Sequence, residues 1–124
     1  MIVATAQDAA NLFAPLLDQI EGEKLVVAHL DGRRRLLALI ESARSDCDHV
    51  ELPTRRILED ALRFGATDLV LAHNHPSGRL QPSLEDLDGT RDLANIAARL
   101  GIRIRDHLIL AGGEFSSMRG LGLL

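Results

Sequence analysis

Asp68-Leu69-Val70-Leu71-Ala72-His73-Asn74-His75-Pro76-Ser77-Gly78-Arg79-Leu80-Gln81-Pro82-Ser83-Leu84-Glu85-Asp86 is the stretch from which fold and chemistry are both read. Its first five residues are β-prone and apolar on both faces, as in a strand covered by helices on either side. Pro82 and Ser83 carry the signal of a helix start, and the loop of Pro76, Ser77 and Gly78 lets the chain turn back. A buried strand, a turn and a helix form part of a layered α/β unit, with His73 and His75 at the rim of its sheet.

On either side of this stretch the pattern is consistent with that class. Residues 4–20 carry Ala9, Ala10, Leu12, Phe13, Leu16, Leu17 and Ile20 at helical spacing, with Thr5 as cap, Asp8 three residues on, and a disturbance near Pro15. Lys24 to Leu30 and Arg35 to Ile40 flank the turn Asp31-Gly32 and predict a hairpin. Ser42 to Val50 is polar and without period, and reads as a loop. Pro53, then Ile57, Leu58, Ala61, Leu62 and Phe64, then Gly65, describe a helix with start and stop signals. A second helix is expected from Ser83 to about Leu100 with Gly101 as its stop, then strands over Ile102 to Leu110 and Phe115 to Met118 around Gly112-Gly113. The order αββαβαββ predicts a single-domain mixed β-sheet flanked by helices, with no repeat and no linker.

Two histidines at i and i+2 on a strand leave on the same side and can share one ion at about 2.0–2.1 Å from each nitrogen. Asp86, in the first turn of the next helix, can offer an oxygen to the same ion. Three ligands, His73, His75 and Asp86, leave a fourth tetrahedral position open, the arrangement of a catalytic zinc site. Each half has a plainer reading: a His-x-His pair can be a polar strand end, and Ser83-x-x-Asp86 can be a capping box that binds nothing. The convergence of both halves around a Gly/Pro turn favours the metal. Among the other histidines, His29 reads as a sheet residue and His49 as solvated, whereas His107, beside Asp106, reads equally as a group orienting a neighbour and as a structural hydrogen bond.

Composition limits the alternatives. With 124 residues, 46% hydrophobic and 26% charged, the chain suits one globular core. Aromatic residues make up only 2% and the net charge is −4, so stacking platforms for bases and a strong phosphate footprint are both lacking. Arg33-Arg34-Arg35 and Arg55-Arg56 are local exceptions that read as solvated surface. The single Cys47 can form no disulfide within the chain, and neither a spanning apolar run nor a signal-like N-terminus is present, so a cytoplasmic protein with no membrane partner is expected.

The string His73-x-His75-Pro76, six residues, Ser83, two residues, Asp86 resembles the motif of the JAMM (JAB/MPN-plus) metalloproteases. His73-Asn74-His75-Pro76-Ser77-Gly78, Pro82-Ser83, Asp86, Thr90, Gly101-Ile102 and Asp106-His107 together are similar to the bacterial RadC branch of that family, from about Glu23 to the end of the chain. The resemblance implies a RadC-like JAB/MPN domain over residues 1–124, of cytidine-deaminase-like architecture and without the helix-hairpin-helix that RadC proteins usually carry ahead of it. It also implies a zinc cofactor and a catalytic glutamate at the start of the first strand. From the residues alone Glu21, Glu23 and Glu41 all qualify, each near a strand end; the resemblance selects Glu23. Relatives tend to have His-Pro-Arg-Glu where this chain has Pro53-Thr54-Arg55-Arg56, and a Gly-Thr is missing from the stretch before it, which points to different substrate contacts.

The activity so implied is hydrolysis of peptide or isopeptide bonds in a peptide or protein substrate, with Glu23 as general base, returning the proton as general acid, and Ser83 as oxyanion donor. A DNA-repair-associated accessory role, non-catalytic or acting on nucleic acid, is the competing expectation, disfavoured by the acidic balance. A zinc deaminase would need His-x-Glu and Pro-Cys-x-x-Cys, which are absent. A scaffold that keeps the site, and pairing with a second copy, are left open.

Overall fold

The elements follow the predicted order. The computed structural model describes residues 1–18, 20–46 and 51–124, with α1 (Ala6–Leu17), β1 (Glu23–Leu30), β2 (Leu36–Ser45), α2 (Thr54–Phe64), β3 (Asp68–Asn74), α3 (Leu84–Arg99), β4 (Arg103–Ala111) and β5 (Glu114–Ser117). One sheet contains all five strands in the order β2-β1-β3-β4-β5. Only β3 and β4 are parallel, joined by α3 as a crossover; every other pair is antiparallel, so the sheet is mixed as expected.

Alternation along the strands divides the core into two layers. Leu25, Val27, Leu69 and Leu71 pack with Ile57, Ala61 and Leu93 of α2 and α3 on one face. Val26, Ala28, Val70 and Ala72 pack with Ala9, Phe13 and Leu17 of α1 on the other. All of β3 is therefore buried, which is why its sequence shows no polar face.

The helix ends obey local chemistry. Thr5 and Asp8 close a reciprocal capping box on α1, and Ser83 and Asp86 do so on α3. Gly65 ends α2 at φ 69°, the left-handed geometry that glycine adopts without a Cβ penalty. α1 runs through Pro15 and stops at Leu17, shorter than its apolar spacing suggested, because Asp18 is already extended.

One expectation is corrected. Ser42 to Ser45 belong to β2, where Ser42 is the extra residue at a register shift and Ala43 to Ser45 pair with β1, Glu23 opposite Ser45 and Leu25 opposite Ala43. β2 is the edge strand and only part of one face meets the core, so its sequence stays polar while its backbone is bonded. The remainder of that predicted loop, with Cys47 and His49, lies outside the described residues. Among the described residues no helix is long and apolar enough to cross a membrane.

Candidate metal centre

β3 delivers His73 from its last turn of alternation, and His75 follows one residue beyond the strand. Their Nε2 atoms stand 2.9 Å apart. The Asp86 carboxylate approaches both, with Oδ2 3.3 Å from His75 Nε2 and 3.5 Å from His73 Nε2. Glu23 also approaches the pair, its Oε1 3.9 Å from His75 Nε2. Glu23, His73 and His75 can each offer one ligand atom with all three inside 4.8 Å, so the imidazole pair is flanked by two carboxylates, Asp86 being the nearer. Glu23, His73 and Asp86 are buried and His75 is half-buried.

Asp86 satisfies both of its sequence readings. Its Oδ2 accepts from the Ser83 backbone N–H at 2.9 Å, and its own N–H donates to Ser83 Oγ at 3.0 Å, while the same oxygen faces the imidazoles. The capping box thus aims the carboxylate rather than competing with it. Burial opposes ionisation of Asp86, but the hydrogen bonds of His73 and His75 outweigh it and hold the carboxyl well below the usual carboxylate range. Reciprocally, the Asp86 hydrogen bond raises His75 against the cost of burial.

The outer nitrogens determine which lone pairs face inward. His75 Nδ1 lies 2.8 Å from the Arg79 carbonyl, which can only accept, so Nδ1 carries a proton; the neutral ring then offers the lone pair of Nε2, and the protonated ring donates from Nε2 to Asp86. His73 Nδ1 lies 2.7 Å from His107 Nε2, and His107 Nδ1 lies 2.7 Å from Thr90 Oγ1. With Thr90 donating inward, the proton of His73 sits on Nε2 and bridges to His75. With the relay reversed, His107 Nδ1–H donates to Thr90, His73 Nδ1–H donates to His107, and His73 Nε2 also offers a lone pair. The reversal gains and loses no proton. Burial pushes His107 well below its ordinary value, which favours the neutral form of that ring.

The donors could hold a metal ion. Two ligand atoms about 2.1 Å from a tetrahedral ion stand roughly 3.4 Å apart, close to the 3.3 and 3.5 Å between Asp86 and the imidazoles. The imidazole nitrogens at 2.9 Å are closer, as suits a pair that shares a proton.

Placement of Glu23 depends on residues that sequence reasoning passed over. Asn74 Nδ2 donates to the Gly22 carbonyl at 2.9 Å, and Asn74 Oδ1 accepts from the Lys24 N–H at 2.8 Å, so one side chain brackets Glu23 from both neighbours. Gly22 has φ 71°, and a Cβ there would lie 2.1 Å from the Ser45 carbonyl oxygen. Only a residue without a side chain lets β1 begin this close to the end of β2. The other candidates fall away: Glu21 is exposed, and Glu41 sits on β2 3.9 Å from Lys24 Nζ. Asp106 does not touch the His107 ring; its oxygens accept from the His107 and Arg119 backbone N–H groups and the Ser117 hydroxyl.

A cleft of about 400 Å³ opens over the centre, lined by Glu23, His75, Pro76, Arg79, Ser83 and Asp86. Beside it, a second cavity of about 380 Å³ reaches His73 and His107 and is walled by Glu51, Glu85, Asp88 and Asp92.

Residues 3–123 match the family model described as "RadC-like JAB domain". The chain is similar to a UPF0758 protein of Bordetella petrii, 42% identical over 102 residues, covering 82% of this chain and 45% of that one. A UPF0758 protein of Salinibacter ruber is 32% identical over 124 residues, all of this chain and 53% of the relative, and one of Acaryochloris marina is 40% identical over 111 residues, 90% and 45%. The chain spans about half the length of the curated relatives it matches.

Proposed function

The chain belongs to the RadC-like JAB domain family, and from that premise we propose that it is a zinc-dependent hydrolase acting on a peptide or isopeptide bond. The observation that carries this reading is the approach of Asp86 Oδ2 to two imidazole nitrogens with a second carboxylate, Glu23, 3.9 Å from His75 Nε2. His73, His75 and Asp86 would hold the ion, and the ion would supply Lewis acidity toward water and toward a carbonyl oxygen.

The remaining steps fall to side chains of this chain. Glu23 accepts the proton of the attacking water on its carboxylate and returns it to the departing amine, a contribution of about 10²–10⁴ in rate. Its burial and the Asn74 bracket keep it in place for both transfers. Ser83 Oγ accepts from the Asp86 N–H, which leaves its hydroxyl proton free to be donated to the carbonyl oxygen as that oxygen gains charge, a donor worth on the order of 10²–10³. Thr90 and His107 hold the ring of His73 and set its tautomer.

Charge around the cleft favours an amide over a phosphodiester. The neighbouring cavity has four carboxylates on its wall in addition to Asp86, and Arg79 is the one cation in the linings of the two, among the described residues. Such a surface repels a phosphate backbone.

Metal analysis of the purified protein beside His73→Ala tests the reading. About one zinc per chain, lost in the variant, with chelator-sensitive cleavage of peptide or isopeptide substrates, is the expected result. Equal trace metal in both proteins removes the basis of the proposal.

A further inference from the structure

The other end of the sheet holds a second cleft that no step above uses. It has a volume of about 550 Å³ and lies on the α1 face, at the N-terminal ends of β3 and β4. Val70 in its lining and His73 in the metal centre are three residues apart on one strand, so they point to opposite faces of the sheet. Arg34, Arg103, Arg105 and Arg119 surround it, with Asp106 as the one carboxylate. Four of the 14 basic residues of a chain with net charge −4 therefore converge on one concavity.

Three of these four have no carboxylate partner among the described residues. Arg105 is paired, its Nε 3.1 Å from Asp68 Oδ1. Arg119 is held by carbonyl oxygens instead: its Nε donates to Arg105, its Nη2 to Ile104 at 3.1 Å and its Nη1 to Leu124 at 3.4 Å, which fixes its position in the wall of the cleft. Arg34 Nη1 donates to the Ala4 carbonyl at 2.8 Å, and Arg103 is exposed at the rim. Arg34 is also the only non-glycine at positive φ among the described residues, at 63°. Glycine or asparagine would occupy that hairpin position without strain, so an arginine there is retained against a local cost. The start of α1 lines the cleft too, where Asp8 accepts from the Ala4 and Thr5 backbone N–H groups and its own N–H donates to Thr5 Oγ1; the formal positive charge of the cleft is that of the guanidinium groups.

Guanidinium groups without a carboxylate partner recognise phosphate oxygens through paired planar donors. Val3, Ala6, Ala9 and Val70 add an apolar wall, and the volume lies within the range of small-molecule sites. The geometry points to a second site on this domain, separate from the metal centre, that binds a phosphorylated small molecule of about nucleotide size.

Calorimetric titration of the metal-stripped protein with pyrophosphate, and in parallel with ADP, tests it at low ionic strength. A single saturable site for either ligand is expected, free polyphosphate and nucleotide being distinguished by which binds more tightly. Affinity should fall about tenfold or more in Arg34→Ala and in Arg103→Ala, and stay unchanged in Arg55→Ala, which removes the same charge from the exposed surface of α2. Arg34 supports the backbone of Ala4, so Arg103→Glu at its exposed position serves as the second variant: it should abolish binding with an unaltered melting temperature. Heat that never saturates, equal weakening by Arg55→Ala, or binding seen only when metal is restored would overturn the assignment. So would a short DNA duplex that displaces both ligands, since the arginines would then serve a nucleic-acid surface.

Discussion

His107 and His29 are both fully buried, both on strands of the same sheet, and both pushed by burial below the ordinary histidine value. At the metal end, His107 spends both ring nitrogens, one on His73 and one on Thr90. At the far end, His29 has no hydrogen-bond partner for either nitrogen among the described residues, and its ring packs against Phe64 with centroids 5.4 Å apart. Asp60 is close enough to act on it electrostatically and itself has an unsatisfied buried oxygen. A buried histidine is thus informative through its partners: fully bonded, it orients a neighbour; unbonded, it fills space at a cost in stability.

The sharpest test of this contrast is on β1, which carries Glu23 at one end and His29 toward the other. Glu23→Gln should lower hydrolysis by about 10²–10⁴ while zinc content stays at the wild-type level, since the amide keeps the shape and loses the base. Full activity with metal bound would break the assignment of the base. Asn74→Leu comes next: it cuts both hydrogen bonds that bracket Glu23, and a displacement of that order costs roughly 10² in turnover, again with metal retained. A parallel loss of metal would show that Asn74 supports the histidines instead.

Replacing His107 by Phe keeps the volume and removes the relay, so zinc affinity should drop about 10–100-fold in a chelator competition. Unchanged affinity would reduce His107 to the status of His29. The smallest effect is expected at the far end, where His29→Leu removes two unsatisfied nitrogens and should stabilise the fold by about 1 kcal/mol in chemical denaturation. It should also flatten the pH dependence. In the native state His29 resists protonation, so below its ordinary value of 6.5 the unfolded chain binds more protons; the stability it permits is complete above that pH and declines as pH falls through it. A variant whose acid sensitivity equals the wild type would place that sensitivity elsewhere, Asp60 and Arg63 being the charges that face His29.

Much of the architecture was legible because its signals are local. The caps at Thr5 and Ser83, the left-handed stop at Gly65 and the two-sided apolar run of β3 each lie within a few residues of what they determine. The second half of β2 was not, because an edge strand keeps its polar side chains and its pairing partner is some twenty residues upstream in the chain. The same distinction runs through the site. His73, His75, Ser83 and Asp86 sit in one short motif, and their convergence followed from strand alternation and a turn. Which of Glu21, Glu23 and Glu41 stands near the imidazoles depends on pairing between β1 and β3, and the contacts of Asn74 with Lys24 and of His73 with His107 join residues far apart in the chain. Asp86 showed both of its readings in the sequence; that one oxygen serves both required the orientation of α3 relative to β3.

Gly22 bears on how this domain can be altered. Its α-hydrogen occupies ground that any methyl group would contest with the Ser45 carbonyl, so even alanine there would pry two strands apart directly beside Glu23. A mutational library built around the two histidines would treat the position as neutral linker, yet it should prove among the least tolerant in the chain, and variants there should fail through a widened sheet edge.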